Sequence, residues 1–131
     1  EHGDRAALRA MHFAAENRRA QEAADAIRGR DIARLLELIR ESGRSSGMYL
    51  QNLSVAGETR AQPLLVAQAV CEHALAGRGA VRVHGGGFAG SLLALVPSGE
   101  LERFRQTVDS VLGGGAVRPL HLRERGIAIE T

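Results

Sequence analysis

Lysine is missing from this chain: all 17 Lys and Arg residues are arginine. That excludes a nucleotide phosphate loop of the G-x-x-x-x-G-K-[ST] kind, which needs its lysine to reach the phosphates. Tryptophan is missing too, and the aromatics amount to one Tyr and three Phe. Base-stacking surfaces need more than that. The net charge is +2, with acids and arginines interspersed, which gives a mixed solvated surface rather than a nucleic-acid footprint. Nucleic-acid binding is therefore not expected. The single cysteine, Cys71, forms no internal disulfide, which fits a reducing, cytoplasmic setting. No apolar run approaches membrane-spanning length and no secretory signal opens the chain, so no membrane partner is expected. The chain opens at Glu1-His2-Gly3 without Met, as a processed or excised piece does. Its 131 residues make one domain with room for a small appendage.

What the chain has in abundance is glycine, 16 in all, and the densest stretch is HGGGFAGS, His84–Ser91. It sits between two short apolar runs, Ala80–Val83 and Leu92–Val96, the second stopped by Pro97. Such a stretch lets the backbone take positive φ and come close to a partner with no Cβ in the way. That partner is either an anionic ligand met by backbone N–H groups or another piece of backbone. Gly85, Gly87 and Gly90 fit G-x-G-x-x-G, but a dinucleotide loop opens a helix. Here the glycines lead into six residues that end at a proline, which read as a strand.

The rest of the chain reads as helices and strands around that loop. Asp4 to Arg28 has helical composition and Gly29 to end it. Phe13, Ala20, Ala24 and Ile27 are the expected inward stripe. Arg9, His12, Glu16 and Arg19 form a polar stripe at helical spacing. Its plainer reading is a solvated face; its sharper one is an inter-domain or active-site network. His12 and Glu16 have no third ligand positioned, so no metal site is expected.

Asp31 is a good N-cap for a second helix to about Glu41, with Ile32, Leu35, Leu36 and Ile39 inward. Ser42–Gly57 reads as an irregular connection with a helical turn around Tyr49–Leu53. In it Ser42, Ser45 and Ser46 either touch a ligand or, more simply, cap and turn the backbone. No histidine–acid pair stands nearby to activate a serine. Glu58–Ala76 is a third helix, with Val66, Ala69, Val70 and His73 on one face, His73 at a boundary, and Cys71 as a small packed side chain. Ser98 is expected to cap a fourth helix to Leu112, with Leu101, Phe104, Val108, Val111 and Leu112 on one face and Gly113–Gly115 as its stop. Val117–Leu122 and Ile127–Ile129 read as two more strands. The sum is α+β: a four-stranded antiparallel sheet covered by helices on one face, ferredoxin-like, preceded by an antiparallel helix pair.

GGGFAG flanked by VRVH and SLLALVP, together with RAMHFAAENRR near the start, resembles the C-terminal domain of the galactokinases. These belong to the kinase superfamily named for galacto-, homoserine, mevalonate and phosphomevalonate kinases. RVHGGGFAGS is similar to the third motif of that superfamily, often written Thr-Gly-Gly-Gly-Phe-Gly-Gly. ESGRSSGMYLQN resembles the connection after the helix pair in a bacterial subgroup. His84 stands where many members have threonine, Ala89 where many have glycine, and Ser91 where cysteine or threonine is common.

The resemblance implies a division of the chain into residues 1–57, helix pair and connection, and 58–131, an α+β core holding the glycine loop 84–91. It implies an enzyme that transfers the ATP γ-phosphate to the 1-hydroxyl of galactose, with ATP and Mg²⁺ bound by the full-length protein. The phosphate-binding loop, catalytic Asp and its Arg partner belong to an N-terminal half whose motif is absent here. No catalytic residue is carried over, and the chain alone is expected to bind neither cofactor and to be inactive. What carries over is the loop beside the transferring phosphate: Gly85, Gly86, Gly87, Phe88, Ala89 and Gly90. His84, Ser91, His12 and Glu16 are expected to support it. Such a domain would keep an exposed apolar face near the loop and the first helix, open to homodimer formation. Two alternatives stand beside the kinase: a stand-alone α+β module that binds a small molecule, and a galactose sensor without turnover.

Overall fold

The structure, a computed structural model, describes residues 3–88 and 90–121. Four helices and two strands follow one another: α1 (Asp4–Arg28), α2 (Ile32–Ser45), α3 (Pro63–Leu75), β1 (Ala80–His84), β2 (Ser91–Leu95) and α4 (Leu101–Leu112). A π-helical turn, Ser46–Leu50, extends α2, and a 3-10 turn, Ser98–Glu100, leads into α4. The class is α+β, as expected.

α1 and α2 form the expected antiparallel pair across a short turn. The Asp31 carboxylate accepts from the Arg34 N–H at 2.9 Å and so caps α2. Arg34 in turn donates to Glu22 of α1 at 2.6 Å. α2 does not stop near Glu41. It runs on through Ser45 and the π turn, and the chain leaves helix only at Gln51, in the left-handed region with φ 57. The expected irregular stretch therefore begins ten residues later than Ser42–Gly57 suggested.

α3 starts at Pro63 rather than Glu58. Glu58 instead folds back, its carboxylate accepting from the Arg60 and Ala61 N–H groups. Pro63 fits the first helical position because its missing N–H is not needed there. The face α3 buries is Leu64, Gln68, Cys71, Ala74 and Leu75, not the expected Val66, Ala69, Val70 and His73. His73 is exposed, not at a boundary.

β1 and β2 pair antiparallel from Ala80↔Leu95 to His84↔Ser91. Side chains alternate along β1. Val81 joins Cys71, Ala74, Leu75, Phe104 and Val108 in one core, while Val83 joins Leu53 and Leu64 in a second. Leu92 packs against both. Arg82, between the two valines, points the other way, toward α1 and α2. Each fully buried Val or Leu adds roughly 1.5–3 kcal/mol of hydrophobic stabilisation. The hairpin is thus anchored from below by α3 and α4. α4 turns Phe104 and Val108 inward as expected, but Val111 is exposed.

The expected four-stranded sheet is not seen among the described residues, whose sheet has two strands. Val117–His121 is not a strand. The reason is local: Gly113, with φ +99, ends α4, and Asp109 takes up the freed backbone. Its carboxylate accepts the Val117 N–H at 3.1 Å and the Gly115 N–H at 3.3 Å. The Val117 donor is then spent on a side chain rather than on a ladder. Leu122 and the strand expected at Ile127–Ile129 lie outside the described residues. Among the described residues no helix is long and apolar enough to cross a membrane.

Candidate functional site

The glycine loop is the connection of the β1–β2 hairpin. The strands bring His84 and Ser91 opposite each other, and the loop spans the gap between them. Gly85 and Gly87 have φ +74 and +82, and Phe88 follows with φ +62. The Gly90 N–H donates to the Gly87 carbonyl at 3.1 Å and closes a tight turn. Ala89 lies outside the described residues.

The three glycines do different things. At Gly85 and Gly86 an added Cβ would meet open space. At Gly87 it would run into the backbone oxygen, Nδ2 and Cβ of Asn52. Of the two partners left open by the sequence, a ligand or another backbone, Gly87 meets backbone. Gly85 and Gly86 leave an open backbone surface toward solvent.

The second cluster lies on α1, α2 and β1, and it is the polar stripe of α1 turned inward. His12 is buried, and its Nδ1 lies 2.9 Å from Ser45 Oγ. Glu16 accepts from Arg19 at 2.7 and 3.0 Å, from Ser42 Oγ at 2.5 Å and from Arg82 at 3.0 Å. Phe13 and Ile27, expected inside, are 67% and 60% exposed, Ala20 is exposed and Ala24 half-buried. The solvated-face reading of His12 and Glu16 is thus overturned, while Arg9 is exposed. The reason is that partners far along the chain satisfy this stripe, and a satisfied polar group can be buried. Ser42 and Ser45 serve these bonds and are not turn residues.

The electrostatics follow from the packing. Burial opposes ionisation of Glu16, but the Ser42 hydrogen bond and the Arg19 and Arg82 guanidinium groups outweigh it. The carboxyl is held below its ordinary range. Burial lowers the His12 ring below its ordinary value, against the Glu16 carboxylate, which pulls it up. The neutral ring pairs with the Ser45 hydroxyl.

The structure therefore gathers His84, Gly85, Gly86, Gly87, Phe88, Gly90 and Ser91 at one hairpin end. His12 and Glu16 form a separate cluster. No hydrogen bond among the described residues joins them to the loop; the link is Arg82, two positions before His84 on the same strand. Among the described residues no three His, Cys, Asp or Glu side chains gather as a metal set. The composition of the loop fits a wall beside a phosphate, not a holder of one, since the Phe88 N–H is already taken by Asn52. Asn52 and Arg82 are the residues that sequence reading missed. Neither has a local signal: their partners are 34 and 66 positions away.

A galactokinase from Mannheimia succiniciproducens is 32% identical to this chain over 103 residues. That stretch is 79% of the chain and 25% of the relative, so the chain spans about a quarter of the length of the curated relative it matches. The resemblance to galactokinase is thus shown over this span. No family model matches the chain, and no solved structure matches it significantly.

Proposed function

We propose that this chain is the C-terminal part of a cytoplasmic galactokinase, which as a whole phosphorylates galactose at the expense of ATP, with Mg²⁺. The observation that carries this reading is the likeness to the Mannheimia galactokinase over most of the chain. The form of the glycine hairpin supports it. Catalysis of phosphoryl transfer rests on positioning and electrostatics, and a backbone wall fixed beside the transferring group is one such part. Gly85 and Gly86, open to solvent, are the residues that would face the cleft. Gly87, Phe88, Ala89 and Gly90 shape the loop behind them, with His84 and Ser91 at its base. His12 and Glu16 act at one remove, by holding Arg82 and so β1.

The chain alone holds no lysine and no phosphate loop, and we expect it to be inactive. Met11, Phe13 and Ile27, exposed on α1, give it an apolar face, and we read this face as packing on the rest of the enzyme or on a second copy. The test is galactose-dependent ADP release by the full-length protein and by this chain. Turnover by the former only is expected. Turnover by the chain above a blank, or binding of galactose by the full-length protein without any ADP, would sink the reading; the second result would favour a sensor.

A further inference from the structure

Gln51 turns the chain sharply out of the π turn, its N–H on the Ser46 carbonyl at 2.7 Å. That delivers Asn52, 2% exposed, against the glycine loop. Three contacts follow. The Phe88 N–H donates to the Asn52 carbonyl at 2.6 Å. Asn52 Nδ2 donates to the Gly86 carbonyl at 3.3 Å. Between these two bonds, the Cα of Gly87 lies directly on Asn52. An aromatic residue in the left-handed region is strained, and such a conformation persists only where its surroundings enforce it. The Phe88 ring is 42% exposed, so packing alone does not enforce it. The bond to Asn52 does. An apolar side chain would fill the same buried place without leaving Asn52 Oδ1 unpartnered among the described residues. What the amide adds is the donor for Gly86.

We propose that Asn52 is a positioning residue. It clamps Gly86–Phe88, holds the open backbone of Gly85 and Gly86 still at the cleft, and thereby sets the turnover rate of the enzyme rather than its affinity for galactose. The clamp stands on geometry alone; its effect on turnover rests on the kinase reading above.

Asn52→Asp keeps the size and the backbone carbonyl and replaces the donor facing Gly86 by an oxygen. Two measurements separate the two parts. In amide exchange on the wild-type chain, Phe88 is expected to be protected at least about 10-fold, and Asn52→Asp to lose that protection while Val83 keeps its own. In the full-length protein, Asn52→Asp is expected to lower kcat at least about 10-fold, with the galactose KM within about twofold. A Phe88 amide unprotected in the wild type overturns the clamp, whether or not the variant folds. Lost protection with unchanged kcat per folded molecule overturns the effect on turnover. A wild-type full-length protein that forms no galactose-dependent ADP overturns the kinase reading instead, and the exchange result then still decides the clamp.

Discussion

Gly43 of α2 lies so close to the carbonyl of Val81 in β1 that a Cβ would stand 2.7 Å from that oxygen and 3.5 Å from the Cα of Arg82. Both neighbours are backbone and cannot swing away. Inside a helix, alanine is otherwise better than glycine by about 0.5–1 kcal/mol. Overpacking a close contact costs roughly 1–3 kcal/mol, so the contact should win. Gly43→Ala is expected to lose about 1–2 kcal/mol, read from the urea midpoint. A midpoint unchanged or raised would mean that α2 and β1 are not pressed together as described.

Acid should loosen the junction of α1, α2 and β1 in two stages. His12 is held below its ordinary 6.5 by burial, with Arg19 and Arg82 adding to that and Glu16 opposing it. The unfolded ring therefore takes up its proton first, and stability falls as pH drops from 6.5 through the lower folded value. Glu16, also lowered, repeats this beneath its ordinary 4.5, together with Glu58, Glu100 and Asp109. Denaturant melts of the wild type should show declining stability between about pH 7 and about pH 5, and His12→Asn should flatten that decline. A variant that declines as steeply as the wild type would assign the effect elsewhere.

Gly86 and Gly87 separate structure from function in the loop. Gly87→Val meets Asn52 and forces a β-branched residue to φ +82, so it should cost on the order of 1–3 kcal/mol in strain alone. It should also lower kcat of the full-length protein about 100-fold or more. Gly86→Ala points into open space without a positive φ and should leave stability within about 0.5 kcal/mol. If the loop lines the cleft, Gly86→Ala nonetheless lowers kcat. Normal kinetics in Gly86→Ala would leave the loop as structure only.

Cys71 should be inert in the folded chain. Burial, with Glu72 beside it, pushes its thiol up to about 11, and its side chain is part of the core with Phe104 and Val108. A thiol-reactive disulfide reagent at mildly alkaline pH should label it only in denaturant. Rapid labelling of the native chain would show α3 opening locally.

Elements were legible in the sequence wherever the signal was local. The Asp31 cap, the span of α1, the two strands around the glycines and the Gly113 stop all rest on residues within a turn of one another. The inward face of α1 was not legible. Phe13 and Ile27 carry the hydrophobic pattern, yet His12 and Glu16 are the ones packed inside, because Ser45, Ser42 and Arg82 stand 33, 26 and 66 positions away. No window along the sequence contains both halves of such a bond. The third strand failed for the opposite reason: Val117 has strand composition, but a side chain eight positions back, Asp109, claims its N–H. At the loop, three consecutive glycines announced a close approach without saying to what. Asn52 supplies that answer for Gly87 and leaves Gly85 and Gly86 for the cleft.

The π turn at Ser46–Leu50 makes chain length, rather than residue identity, the sensitive quantity in this part of the protein. A π turn carries one residue more than an α turn, so removing one residue would let the helix relax to its ordinary pitch. Every later position would then rotate by about 100° around the axis, and Asn52 would face away from the glycines. Met48 is exposed and its side chain dispensable. Met48→Ala should leave the Phe88 amide protected, and deletion of Met48 should expose it. Insertions and deletions here, in a stretch with no part in the chemistry, would reach the loop as a change of phase.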